Sequence, residues 1–162
     1  MPPKPSPGGP YLQAALICEK TLQETGVHSL IRVVDRITIA ATGPEVPMQM
    51  PPQNLDLTAV IMIKSGDARG RYPLKFRPEA PGGEQRAAIE VALQLEGDER
   101  GNVINIELKG LQLDREGLWW FDILFGDDET LMTRMPLRLV YQPQKVVVTT
   151  GETEPDEPEQ PE

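Results

Sequence analysis

Between Gly117 and Tyr141 the chain reads GLWWFDILFGDDETLMTRMPLRLVY, and this stretch narrows the possible folds more than any other. Leu118 to Phe125 is an apolar run of strand length, rich in aromatics and interrupted only by Asp122, a pattern that favours a strand over a helix. Gly126-Asp127-Asp128-Glu129 supplies a turn, since Gly tolerates positive φ and Asp hydrogen-bonds the backbone locally. Thr130 to Tyr141 then alternates. Leu131, Met135, Leu137, Leu139 and Tyr141 fall on one face, and Met132, Arg134, Arg138 and Val140 on the other. The segment predicts a β-hairpin.

The same alternation places the two tryptophans on opposite faces. Trp119 shares its face with Phe121, Ile123 and Phe125 and is expected in the core, leaving Trp120 outside with Asp122. An outward Trp120 near Arg134 or Arg138 has two uses: a cation–π stack within the chain, or an anchor for a partner, because Trp and Arg are enriched at binding hot spots. Trp120, Arg134 and Arg138 are therefore the candidate binding residues. Pro136 brings no N–H to a ladder, so its strand is expected at a sheet edge, either blunted by Pro and the arginines or open to a partner strand.

Other segments repeat the plan. Tyr11 to Glu19 reads as a first strand, although Ala, Leu, Gln and Glu leave a helix over 11–24 open. Val27 to Ala40 reads as a second, with Val27, Ile31, Val33, Ile37 and Ile39 on one face. Asp35 interrupts that face, and a bulge there would relieve it. After a loop with four prolines (42–54), Leu55 to Lys64 points Leu55, Leu57, Ala59, Ile61 and Ile63 inward. A short strand over 71–77 follows, then Ala87 to Glu96 with Ala87, Ile89, Val91, Leu93 and Leu95 inward, then Val103 to Lys109. Val146-Val147-Val148 reads as a possible short strand before the tail. About eight strands with little helix predict an all-β fold, an antiparallel β-sandwich.

Composition sets the boundaries. Residues 1–10 hold five prolines and two glycines and read as a disordered leader; 11–149 form one domain; 150–162 read as a disordered acidic tail. The last twelve residues carry six acids and no base, so residues 1–150 set 16 bases against 19 acids. No basic stripe tracks a phosphate backbone, which argues against nucleic acid. No apolar run approaches a membrane span, no secretory signal is visible, and the lone Cys18 forbids an internal disulfide. A reducing cytoplasmic location is the expectation.

Catalytic chemistry is sparse. His28 is the only histidine, so a triad would have to use it and a multi-histidine metal site is excluded. Cys18 reads as a buried small hydrophobe. No phosphate-binding glycine motif occurs. The acidic turns at Asp67, Asp98-Glu99 and Asp127-Asp128-Glu129 would gather at one end of an alternating sandwich, the way calcium is held on loops, although acids beside Gly are also ordinary turn chemistry. No enzyme, cofactor or metal ligand is expected.

Three segments together, Tyr11–Glu19, VHSLIRVVD (27–35) and Gly117–Arg138, resemble a family of small uncharacterised bacterial proteins. The matching residues are Ser29, Leu30, Ile31, Arg32 and Asp35, then Gly117, Trp120, Phe121, Asp122, Leu131, Thr133, Arg134, Pro136, Leu137 and Arg138. The resemblance implies an immunoglobulin-like or C2-like sandwich and no assigned catalytic role. The expected function is a non-enzymatic protein-binding or adaptor module. The alternatives are a structural subunit of a homo-oligomeric or phage-derived assembly and a calcium-dependent C2-like module.

Overall fold

Nine strands form two facing sheets in the computed structural model, which describes residues 8–98 and 100–147. The strands are β1 (Tyr11–Glu24), β2 (Val27–Val33), β3 (Arg36–Gly43), β4 (Gln53–Lys64), β5 (Arg69–Glu79), β6 (Ile89–Glu96), β7 (Gly101–Leu113), β8 (Gly117–Phe125) and β9 (Thr130–Lys145). One sheet has the order β2-β1-β4-β7 and the other β3-β9-β8-β5-β6. Every pairing is antiparallel except β3 on β9. This is the all-β sandwich expected, and the described residues contain no helix long and apolar enough to cross a membrane. Most of the leader (1–7), Glu99, Val148 and the acidic tail lie outside the described residues.

Period-two alternation builds the core. Ala59, Ile61 and Ile63 of β4 face Leu74 and Phe76 of β5, Trp119, Phe121 and Ile123 of β8, and Leu137 of β9, all of them fully buried. Phe76 and Phe121 stack with centroids 5.1 Å apart, a geometry that adds to their area burial. Val46 and Met50 of the 44–52 loop close one end of the core, and Tyr141 pins that loop by donating its hydroxyl to the Pro47 carbonyl at 2.8 Å.

The first hairpin turns in two residues, Thr25 and Gly26, with φ of 49° and 78°. Positive φ at both positions matches the strand twist of a tight hairpin. The whole of 11–24 is strand, so the helical alternative fails: tertiary pairing with β4 and β2 outweighs local propensity. Past Cys18, β1 leaves β4 and continues as a two-stranded ribbon with β2.

Four expectations need correction. Val27 to Ala40 is two strands in different sheets rather than one strand with a bulge. Arg32 adopts φ of 54°, the Val34 N–H bonds the Ile17 carbonyl in the first sheet, and the Asp35 carbonyl accepts from Arg138 in the second. Asp35 thus stands exposed at the crossing, and Val27 and Val33 are exposed rather than inward. Ala87 precedes β6 and is exposed, as is Ile89. Leu131 does not share the inward face: a bulge between the pairs Ile123–Thr133 and Leu124–Leu131 inserts Met132, which packs on the core while Leu131 moves to the outer face. Val146 and Val147 follow β9 outside any strand.

Candidate functional site

The outer face of the five-stranded sheet carries a charged row fixed by register. Arg77 of β5, Asp122 of β8 and Arg134 of β9 are consecutive cross-strand partners. The Asp122 carboxylate accepts from Arg134 Nε at 2.6 Å and lies 3.3 Å from an Arg77 terminal nitrogen. Asp122 is 4% exposed although it points away from the core: the two guanidinium groups cover it. Buried charge is tolerated only when paired in this way. Arg134 also reaches Glu79 at 2.9 Å. Its guanidinium is held above the usual arginine range, chiefly by the hydrogen bond to Asp122, with desolvation working the other way.

Trp120 lies one register step along, between Glu79 and Pro136. The Arg134 guanidinium sits 5.0 Å from its ring centroid. Of the two stacking partners expected, the structure selects Arg134. One side chain thus holds Asp122, Glu79 and the indole together, leaving Trp120 half-buried with its remaining surface open. Trp119 is fully buried and donates Nε1–H to the Arg115 carbonyl at 3.0 Å.

Arg138 stands apart from this row. It is exposed, opposite Leu118 on one side and Arg36 of β3 on the other. Inward Leu137, Leu139, Ile37 and Ile39 place both arginines on the outer face. Like charges directly opposite destabilise a pair of strands. Among the described residues neither arginine forms an ion pair.

The edge expected for β9 holds for half the strand. β3 covers it from Arg138 onward, whereas Thr130–Leu137 pairs only with β8. The Arg138 N–H donates toward β3 at 2.9 Å. Two residues earlier the Pro136 nitrogen faces the same side, beyond the start of β3, where no hydrogen is needed.

The acidic turns do gather at one end, but among the described residues their carboxylates do not converge. Asp98 pairs with Arg69 at 2.8 Å, and Glu129 pairs with Lys75, which holds its carboxyl below the usual range. Among the described residues no three metal-ligating side chains are grouped. His28 lies on β2, half-buried, its Nδ1 buried and without a hydrogen-bond partner among the described residues. Cys18 is fully buried, and burial pushes its thiol up, which opposes a nucleophilic role. An open groove lined by Val34, Ile37, Leu55 and Leu57 together with Glu19, Lys20 and Asp56 lies at the base of the β1–β2 ribbon.

Sequence reasoning missed Arg77, Glu79 and Arg36. The alternation Lys75-Arg77-Glu79 was available as a signal for one outer face, but strand order alone brings that face beside β8.

A family model described as a family of unknown function, DUF6941, matches residues 13–140. This bears out the resemblance to an uncharacterised family. No curated protein matches the sequence. Among solved structures the chain is similar to an immunoglobulin-like protein of Pseudomonas aeruginosa, at 9% identity and a TM-score of 0.36, over 80% of this chain and 94% of that one. At that score the likeness carries no argument of its own, and the sandwich stands on its strand pairing.

Proposed function

The chain belongs to the DUF6941 family of unknown function, and from that premise we propose a non-enzymatic protein-binding module. The observation that supports it is Trp120, half-buried and pinned by Arg134 beside the open half of β9. A pre-positioned aromatic loses little freedom on binding, and Trp and Arg are the residues that dominate interface energetics. Arg138 and the exposed Pro136 border it. The test is co-purification from the native host with the parent chain, Trp120→Ala, Arg138→Glu, and Glu107→Ala on the other sheet as a control. The reading expects a partner retained by the parent and the control and lost with Trp120 or Arg138. Retention by all four removes it.

A second reading, self-association, is favoured by the β1–β2 ribbon. Leu22, Val27 and Val33 are 48%, 65% and 57% exposed there, and a two-stranded ribbon is marginally stable alone. A monomeric mass by light scattering at high protein concentration rejects it.

A further inference from the structure

We infer that the outer face around Trp120, Arg138 and Arg36 binds an acidic peptide, and that its resident occupant is the acidic C-terminal segment of this same chain, residues 151–162. The inference shares its surface with the binding reading above and deepens it, since an external partner must then displace or resemble this segment.

Charge supports it first. Arg36 and Arg138 are exposed lateral neighbours on β3 and β9, and neither has an ion-pair partner among the described residues. Their mutual repulsion is relieved by an anion placed between them. The segment beyond Gly151 brings Glu152, Glu154, Asp156, Glu157, Glu159 and Glu162 and no base.

The path is also open. Outer-face positions from the arginines to the end of the strands are Thr38, Ala40 and Thr42 on β3 and Val140, Gln142 and Gln144 on β9, none of them charged. Glu116, on the β8 side of this path, already accepts the Tyr141 N–H at 3.1 Å.

Length permits the contact. Val147 is the last described residue, and from it back to Arg138 is nine residues, at most about 30 Å at ~3.3 Å per residue. A chain beyond Val147 spans at most about 3.3–3.6 Å per residue. Glu159 and Glu162 therefore reach the arginine pair after one reversal, whereas Asp156 and Glu157 fall short of it once the turn is made. Tethering sets an effective concentration of roughly millimolar order, so individually weak contacts suffice. Trp120 lies two positions beyond Leu118, the β8 partner of Arg138, and any chain covering Arg138 borders it.

The experiment compares two full-length proteins by amide and indole NMR: the parent, and a variant with all six tail acids neutralised (E152Q, E154Q, D156N, E157Q, E159Q, E162Q). The expected result is a shift of the Trp120 indole N–H and of backbone amides in 36–42 and 138–144. The Trp119 indole, locked on Arg115 and buried, stays in place as the internal control. The differences collapse at about 0.5 M salt, where screening falls to a few ångströms. They vanish in Arg36→Gln/Arg138→Gln and do not depend on protein concentration. Identical parent and neutralised spectra overturn the inference, as do shifts confined to the four-stranded sheet or shifts that grow with concentration. No partner enters this measurement, so its failure leaves the partner reading standing. Lost co-purification with intact tail shifts does the reverse.

Discussion

Replacing Asp122 with Ala tests the central claim about the charged row, that Asp122 is held on an outer face only because two guanidinium groups enclose it. The substitution removes the acceptor of Arg134 Nε at 2.6 Å and the partner of Arg77 at 3.3 Å. Hydrogen bonds to charged groups contribute about 1.5–3 kcal/mol each, and breaking a buried pair costs about 3–5 kcal/mol. The arginine side chains remain 24% and 37% exposed, so water re-solvates part of what is lost. The expected cost is therefore about 2–4 kcal/mol, well above the ~0–1 kcal/mol of a surface pair. Asp122→Asn keeps the shape and one acceptor, and is expected to cost about 1–2 kcal/mol. Urea unfolding should show a lower midpoint at unchanged slope, and thermal melting a fall of about 5–15 °C for Asp122→Ala. In double-mutant cycles the coupling of Asp122 to Arg134 should exceed its coupling to Arg77, following the distances. A loss below about 1 kcal/mol for Asp122→Ala, the surface-pair range, would falsify the enclosure argument.

Other consequences divide by face and by turn. Trp119→Ala empties a fully buried site and should cost about 3–5 kcal/mol; Trp120→Ala loses mainly its stack on Arg134, about 0.5–1 kcal/mol, and comparable unfolding midpoints for the two would contradict the assigned faces. Gly117 has φ of 127° and an added Cβ would stand 2.9 Å from the Pro81 ring, so Gly117→Ala should lower stability by about 1–3 kcal/mol, read by chemical denaturation. Asp114 and Glu129 have carboxyls depressed by their hydrogen bonds to Arg115 and Lys75. Their contribution is fully present above the ordinary carboxylate value near pH 4 and is lost as pH falls through the lower folded-state value. Acid titration followed by circular dichroism should show stability flat from neutral pH to about 4.5 and declining below, and a decline beginning near pH 6 would assign the loss to other groups.

Much of the sandwich was legible because its strands obey period two without help from neighbours. The β8–β9 hairpin, the burial of Trp119 and the outward placement of Trp120 all follow from alternation within one segment. What was not legible required a partner strand. Asp35 marks an irregularity locally, but nothing there distinguishes a bulge from a change of sheet, since only the separate pairings of β2 and β3 divide the two halves. The Met132 bulge is hidden for the same reason, as an extra residue is defined only against the opposing strand. At the candidate site, sequence identified Trp120, Arg134 and Arg138, but placed the strand of Arg134 and Arg138 at a sheet edge. The parallel neighbour β3, which makes half of β9 internal and brings Arg36 to Arg138, comes from far away in the chain and leaves no trace near Pro136.

That parallel neighbour also sets the order in which the molecule can be assembled. β3 leaves the ribosome well before its register partner β9, which lies about a hundred residues later. At synthesis rates of about 5–20 residues per second, several seconds separate the two. The four-stranded sheet is complete once Leu113 has emerged. Until β9 arrives, Ile37, Ile39 and Ala41 have one sheet to lean on and no ladder to join, so a nascent chain stalled before Thr130 carries an unpaired apolar strand. A chain cut short before Arg138 should be a preferred client of the chaperones that bind such strands, while the finished protein, with that strand closed, should not be.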